Sequence, residues 1–183
     1  MTTDQSCIDA YKKHQNLKIA AMEVGVSWQN LYVRLVRNGI PVIGNKEKYG
    51  SEKDKLAAKS EKDFLKYVPS AKDCNKEKFQ SKIDFSVREL SVDVKASTLR
   101  RSNKKCKTRR WAFSIKKQEI IADYFVLFAY DDNMKIKHCF LLPGEIVRKM
   151  STISISEAGG KWMDFKIEPE ELDSFFSDVS LHH

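Results

Sequence analysis

The amino-acid sequence predicts an α/β (α+β) fold: a central mixed β-sheet flanked by helices, preceded by a small helical domain. Three observations predict it. Residues 17–40 carry apolar side chains at helical spacing with a glycine in the middle. Two short alternating runs, 82–87 (KIDFSV) and 90–96 (LSVDVKA), are separated only by Arg88-Glu89, which reads as a β-hairpin. Residues 123–130 (DYFVLFAY) are almost continuously apolar, as expected of a strand buried on both faces.

The bulk numbers set the frame. A chain of 183 residues suits one medium domain or two small ones. With 42% hydrophobic residues it can build a core, and its 32% charged residues do not reach a disordered composition. There are 33 Lys+Arg against 25 Asp+Glu, a formal net charge of +8, which favours a polyanionic partner through counterion release. Cys7, Cys74, Cys106 and Cys139 form no CxxC pair, and the four histidines lack zinc-finger spacing, so a structural zinc is not expected. Isolated cysteines fit reduced thiols and a cytoplasmic location, in the nucleoid or a host cytosol. The opening MTTDQSCIDAYKK is polar and predicts no signal peptide. The apolar run 124–130 is too short to span a bilayer, so no membrane role is expected.

Composition shifts divide the chain into four zones: 1–44, a polar linker 45–51 (NKEKYGS), a core 52–150, and a C-terminal extension 151–183. In the first zone, Ala21 is small enough to let two helices approach, and Gly25 can take the positive φ of a turn. Ser27 can cap the second helix, and Val26, Leu31 and Leu35 would pack it on the first. The pattern resembles a helix-turn-helix. Its second helix would present Trp28, Gln29, Tyr32, Arg34 and Arg37 to the major groove of duplex DNA, with Ser27 at its start. Residues 41–44 (PVIG) read as a short wing or connection, and a plain helical hairpin used for packing is the alternative.

The core opens with a helix over Glu52–Tyr67, ended by Pro69. The hairpin follows, then a basic stretch, then a third strand at 111–115 (WAFSI). Residues 116–122 read as a short helix, 123–130 as the buried central strand, and 135–142 (KIKHCFLL) as its return, closed by Pro143-Gly144. In the last zone, 151–162 holds a short alternating run and a Gly-Gly turn, before an acidic end that would dock on the core or on a partner subunit.

The hairpin carries the chemistry. Period-two alternation puts Asp93 and Lys95 on one strand face, with Val92, Val94 and Ala96 on the other. Asp84 lies on the first strand, between Ile83 and Phe85. Charges on apolar strands are costly unless paired or metal-bound, and two gathered carboxylates favour a hard divalent cation. An edge-strand salt bridge is the bland alternative for Asp93 and Lys95.

Asp84 followed by Asp93-Val94-Lys95 resembles the D…(D/E)xK motif of the PD-(D/E)xK nuclease superfamily, over about half of the chain. Ile83 stands where that family often has proline. The resemblance implies a restriction-endonuclease-like fold and a site that takes Mg²⁺ (or Mn²⁺). Asp84 and Asp93 would hold the metal, and Lys95 would position the attacking water. Glu61, on the preceding helix, resembles the acidic residue that completes the metal site in many members, and Gln118 resembles an accessory glutamine.

Arg100, Arg101, Lys104, Lys105, Lys107, Arg109 and Arg110 follow within one eleven-residue stretch, placed to grip a phosphate backbone. The function expected from the sequence is thus a Mg²⁺-dependent endonuclease acting on double-stranded DNA, as a homodimer or tetramer, in a restriction, homing or junction-resolving role. A non-catalytic DNA-binding regulator and an RNA-directed nuclease are the alternatives.

Overall fold

The computed structural model describes residues 2–77, 83–115 and 122–180, and the chain divides into two compact units, Met1–Lys55 and Leu56–His183.

The first unit is built from α1 (Asp4–His14), α2 (Leu17–Val24), α3 (Trp28–Arg37) and a short α4 (Lys46–Tyr49). Each of the first three helices starts on a side-chain cap. Thr3 accepts from the Ser6 amide, Asn16 from the Lys18 and Ile19 amides, and Ser27 from the Asn30 amide. These caps satisfy amides that a helix N-terminus leaves without intrahelical partners. Gly25, at φ +71°, ends α2, and Val26 N–H closes the turn on the Ala21 carbonyl at 3.0 Å. Cys7, Ala10, Tyr11, Ala20, Ala21, Leu31 and Leu35 form the core of this unit. Residues 41–44 form no strand. They are held instead by the Tyr11 hydroxyl, which donates to the Ile43 carbonyl at 3.0 Å. α4 lies inside the stretch read as a linker.

The second unit is mixed α/β, with a mixed sheet flanked by helices. Its six strands run in the order β1 (Lys72–Asp73), β2 (Phe85–Val87), β3 (Leu90–Thr98), β6 (Tyr124–Tyr130), β7 (Ile136–Pro143) and β9 (Lys166–Ile167). Only β3 and β6 pair in parallel. A second sheet joins β4 (Arg100–Arg101), β5 (Arg109–Ser114) and β8 (Thr152–Ser156).

Alternation assigns the two faces of the main sheet. Val92, Val94, Val126 and Phe128 pack with Phe64 of α5 (Glu52–Tyr67) and Val68 just after it, and with Leu172 and Phe176 of α8 (Leu172–Ser180). Phe125, Leu127 and Phe140 point the other way, into Trp111 and Phe113 of β5 and Ile153 and Ile155 of β8. The second unit therefore stacks helices, large sheet and small sheet as layers, each covering an apolar face that could not stand in water. Central β6 is buried along nearly its whole length, as its composition requires.

The hairpin between β2 and β3 turns at Arg88 and Glu89, both at positive φ (48° and 74°). Residues 151–180 do not stand apart from the core. The run TISIS places Ile153 and Ile155 on one face, and that strand completes the small sheet against β5. β9 extends the large sheet beside β7. The expected helix at 116–122 lies almost entirely outside the described residues. No helix among the described residues is long and apolar enough to cross a membrane.

Candidate functional site

β2 and β3 pair with Phe85 opposite Val92 and Ser86 opposite Ser91. Continuing this antiparallel register one residue beyond β2 puts Asp84 opposite Asp93, on the same side of the sheet. That is the side facing β5, because Phe85 and Val92 point to the helices. Asp84 Oδ2 accepts from the Val94 amide at 2.9 Å, which fixes its carboxylate over β3. Asp93 is only 3% exposed. Lys95, two residues on, reaches back with Nζ 2.7 Å from Asp93 Oδ1.

This environment makes Asp93 hard to ionise. Burial raises its pKa first, the hydrogen bond shared with the Asp84 carboxyl second, and the Asp84 charge third. Lys95 pulls in the opposite direction and does not cancel them, so Asp93 is pushed up to about 8 from an ordinary 3.8. A carboxyl pair this close must share a proton or neutralise itself with a cation. The available donors at the pair are carboxylate oxygens, which suit a hard divalent ion such as Mg²⁺ rather than zinc.

Ser97, next along the same face, is buried and accepts from the Ala112 amide at 2.9 Å, so it ties β3 to β5 beside the acidic pair. Ser91 and Asp123 lock the other end of β3. The Asp123 carboxylate accepts from the Ser91 amide and hydroxyl, both at 2.8 Å, and the Asp123 amide donates back to Ser91 Oγ at 2.9 Å. The sequence marks Asp123 only as a turn residue, because its partner is distant in the chain.

The other expected site residues distribute unevenly. Glu61 is half-buried on α5, whose buried side chains pack on the face opposite Asp93. Among the described residues no three His, Cys, Asp or Glu groups gather in a metal-holding arrangement. Gln118 lies outside the described residues.

Of the basic stretch, Arg100 and Arg101 form β4 and pair with Arg110 and Arg109 of β5, making a hairpin rather than an open loop. Arg109 is committed to structure: it bonds Asp132 at 2.7 Å and Glu157 at 3.1 Å. Arg110 bonds Ser154 Oγ at 3.1 Å and Arg100 bonds Thr98 Oγ1 at 3.0 Å. Arg101, Lys104, Lys105 and Lys107 are exposed.

In the first unit, Trp28, Gln29, Tyr32 and Arg37 are exposed along α3, and Ser27 caps it. Arg34 is instead turned inward, donating to the Thr2 carbonyl at 2.8 Å, Asp4 Oδ1 at 3.1 Å and Asn30 Oδ1 at 2.9 Å.

One feature had no signature in the sequence. A cleft of about 660 Å³ opens at the start of β3 and β6, between Arg88, Glu89, Tyr124 and Arg148, residues far apart in the chain. The carboxylate pair is not among the residues that line it.

No protein-family model matches the chain, and no curated protein matches it.

Proposed function

We propose that this chain is a Mg²⁺-dependent DNA endonuclease that hydrolyses phosphodiester bonds. The observation that carries the reading is the convergence of Asp84, just ahead of β2 and not on the strand expected for it, with Asp93 and Lys95 of β3 on one side of the sheet. Asp84 and Asp93 would hold the ion, which when bound polarises a phosphate oxygen and acidifies water. Asp93 must then release its proton, and the anchored Asp84 keeps the second carboxylate in place. Lys95 already directs its ammonium to this centre, where it would orient the attacking water and offset the negative charge that develops on the phosphate. Glu61 and Gln118 are proposed as supporting residues by resemblance alone. The exposed cations of the 100–110 hairpin would hold the phosphate backbone, and α3 would enter the major groove of the duplex. Cleavage of both strands would use two copies of the chain, as a dimer or tetramer.

One observation favours a second reading. Among the described residues no third His, Cys, Asp or Glu joins the acidic pair, and Lys95 already closes an ion pair with Asp93. A DNA-binding regulator on a nuclease-like fold would keep this arrangement without cutting.

Plasmid incubated with the purified chain plus Mg²⁺ or Mn²⁺ separates the two. Wild type is expected to nick or linearise it, and Asp93→Ala and Lys95→Ala to lower the rate by at least ~10³-fold. A wild type that binds duplex but leaves varied templates uncut, its own locus included, would establish the regulator.

A further inference from the structure

We infer that α3 reads A·T-rich major groove, through the methyl groups of thymine and one adenine-pairing amide. The inference rests on the DNA-binding reading above and adds the class of sequence that is read.

The residues left exposed on α3 decide the matter. Trp28, Tyr32 and Val36 fall three to four residues apart, as do Gln29, Val33 and Val36, so all five share one helix face. Trp28, Tyr32, Val33 and Val36 are 45%, 45%, 44% and 53% exposed, half of the large exposed hydrophobics among the described residues. A concentration of apolar surface on one face marks a contact surface. The helix carries no acidic residue and keeps Arg37 exposed, which favours a polyanion as its occupant over an acid-free copy of itself.

What α3 lacks is equally informative. Guanine is read chiefly by arginine or lysine reaching O6 and N7. Arg34 is withdrawn from that role by Thr2, Asp4 and Asn30. Arg37 is the last residue of the helix and falls about 40° beyond the edge of the face that Trp28, Gln29, Tyr32, Val33 and Val36 share. Cytosine N4 is commonly read by a carboxylate, and α3 has none. Gln29 supplies the donor and acceptor that match adenine N6 and N7, and its apolar neighbours match the thymine methyl.

The test uses the full chain without divalent ion, at fixed salt, with three labelled duplexes of equal length: A·T-rich, G·C-rich, and A·T-rich with every thymine replaced by uracil. Binding to the A·T-rich duplex is expected to be roughly five-fold or more tighter than to the others. Val33→Ser with Val36→Ser, which alters only exposed side chains, is expected to erase that difference and keep the helical circular-dichroism signal. Equal binding to all three duplexes would overturn the inference and leave DNA binding intact. So would an A·T preference that survives the uracil exchange, because groove shape and not the methyl groups would then be read. Failure to bind any duplex would remove the DNA-binding reading itself.

Discussion

Asp93 shows how one side chain ties stability to chemistry. Its folded pKa is raised to about 8, above the ordinary 3.8. The sign follows from proton linkage: the folded chain binds a proton that the unfolded chain has already lost. The stability this group contributes is fully present below pH 4 and is lost as pH rises through the folded value. Wild type without metal is therefore expected to lose on the order of 2–4 kcal/mol between pH 5 and 8.5, and Asp93→Asn to lack that fall across the same window. Urea denaturation at the two pH values measures the difference, and a wild type that loses no more than the variant would refute it. Mg²⁺ added at the higher pH should restore stability to wild type alone.

At the scale of elements, the turn joining β2 and β3 is a local conflict. Two consecutive residues at positive φ are the geometry of a type I′ turn, which favours Asn-Gly. This chain puts Arg88 and Glu89 there, and both side chains line the neighbouring cleft. Arg88→Asn combined with Glu89→Gly is expected to stabilise the second unit by about 1–2 kcal/mol, read as a higher Tm with unchanged secondary structure. A lower Tm would show that contacts of the native side chains outweigh the backbone strain.

The elements themselves were largely legible. Gly25 and Ser27 announced the break and the cap between α2 and α3, and alternation in KIDFSV and LSVDVKA announced the hairpin. The opposition of Asp84 and Asp93 follows directly from the length of that turn. Partnership between distant segments was not legible. Nothing in TISIS names β5 as its neighbour, and nothing in Arg34 or Arg109 reveals that carboxylates elsewhere engage them. Charge in a sequence counts cations, whereas only the fold separates those that are already paired.

For the whole molecule, that separation predicts how the +8 charge is spent. Arg101 is exposed with no ion pair among the described residues, whereas Arg109 pins the hairpin to Asp132 and Glu157. Arg101→Ala is expected to lower the slope of log Kd against log salt by about one phosphate contact, without altering Tm. Arg109→Ala is expected to lower Tm and leave the slope nearly unchanged. Titrations at several salt concentrations, paired with thermal melts, check both, and a reversed pattern would mean that Arg109 is the residue facing phosphate.

The pairing of β5 with β8 joins Trp111 to Ile155 and Phe113 to Ile153. On a ribosome, β5 emerges well before β8, so one edge of β5 waits unpaired beside its two large aromatic rings until that strand follows. β9 and α8 arrive later still, and they close the edge beside β7 and the floor under Phe64. A stop codon near residue 150 would spare every residue of the acidic pair and its lysine, yet release a chain whose sticky unfinished face invites proteolysis or clumping. The segment from β8 to α8 thus acts as a completion check on the sheets encoded before it.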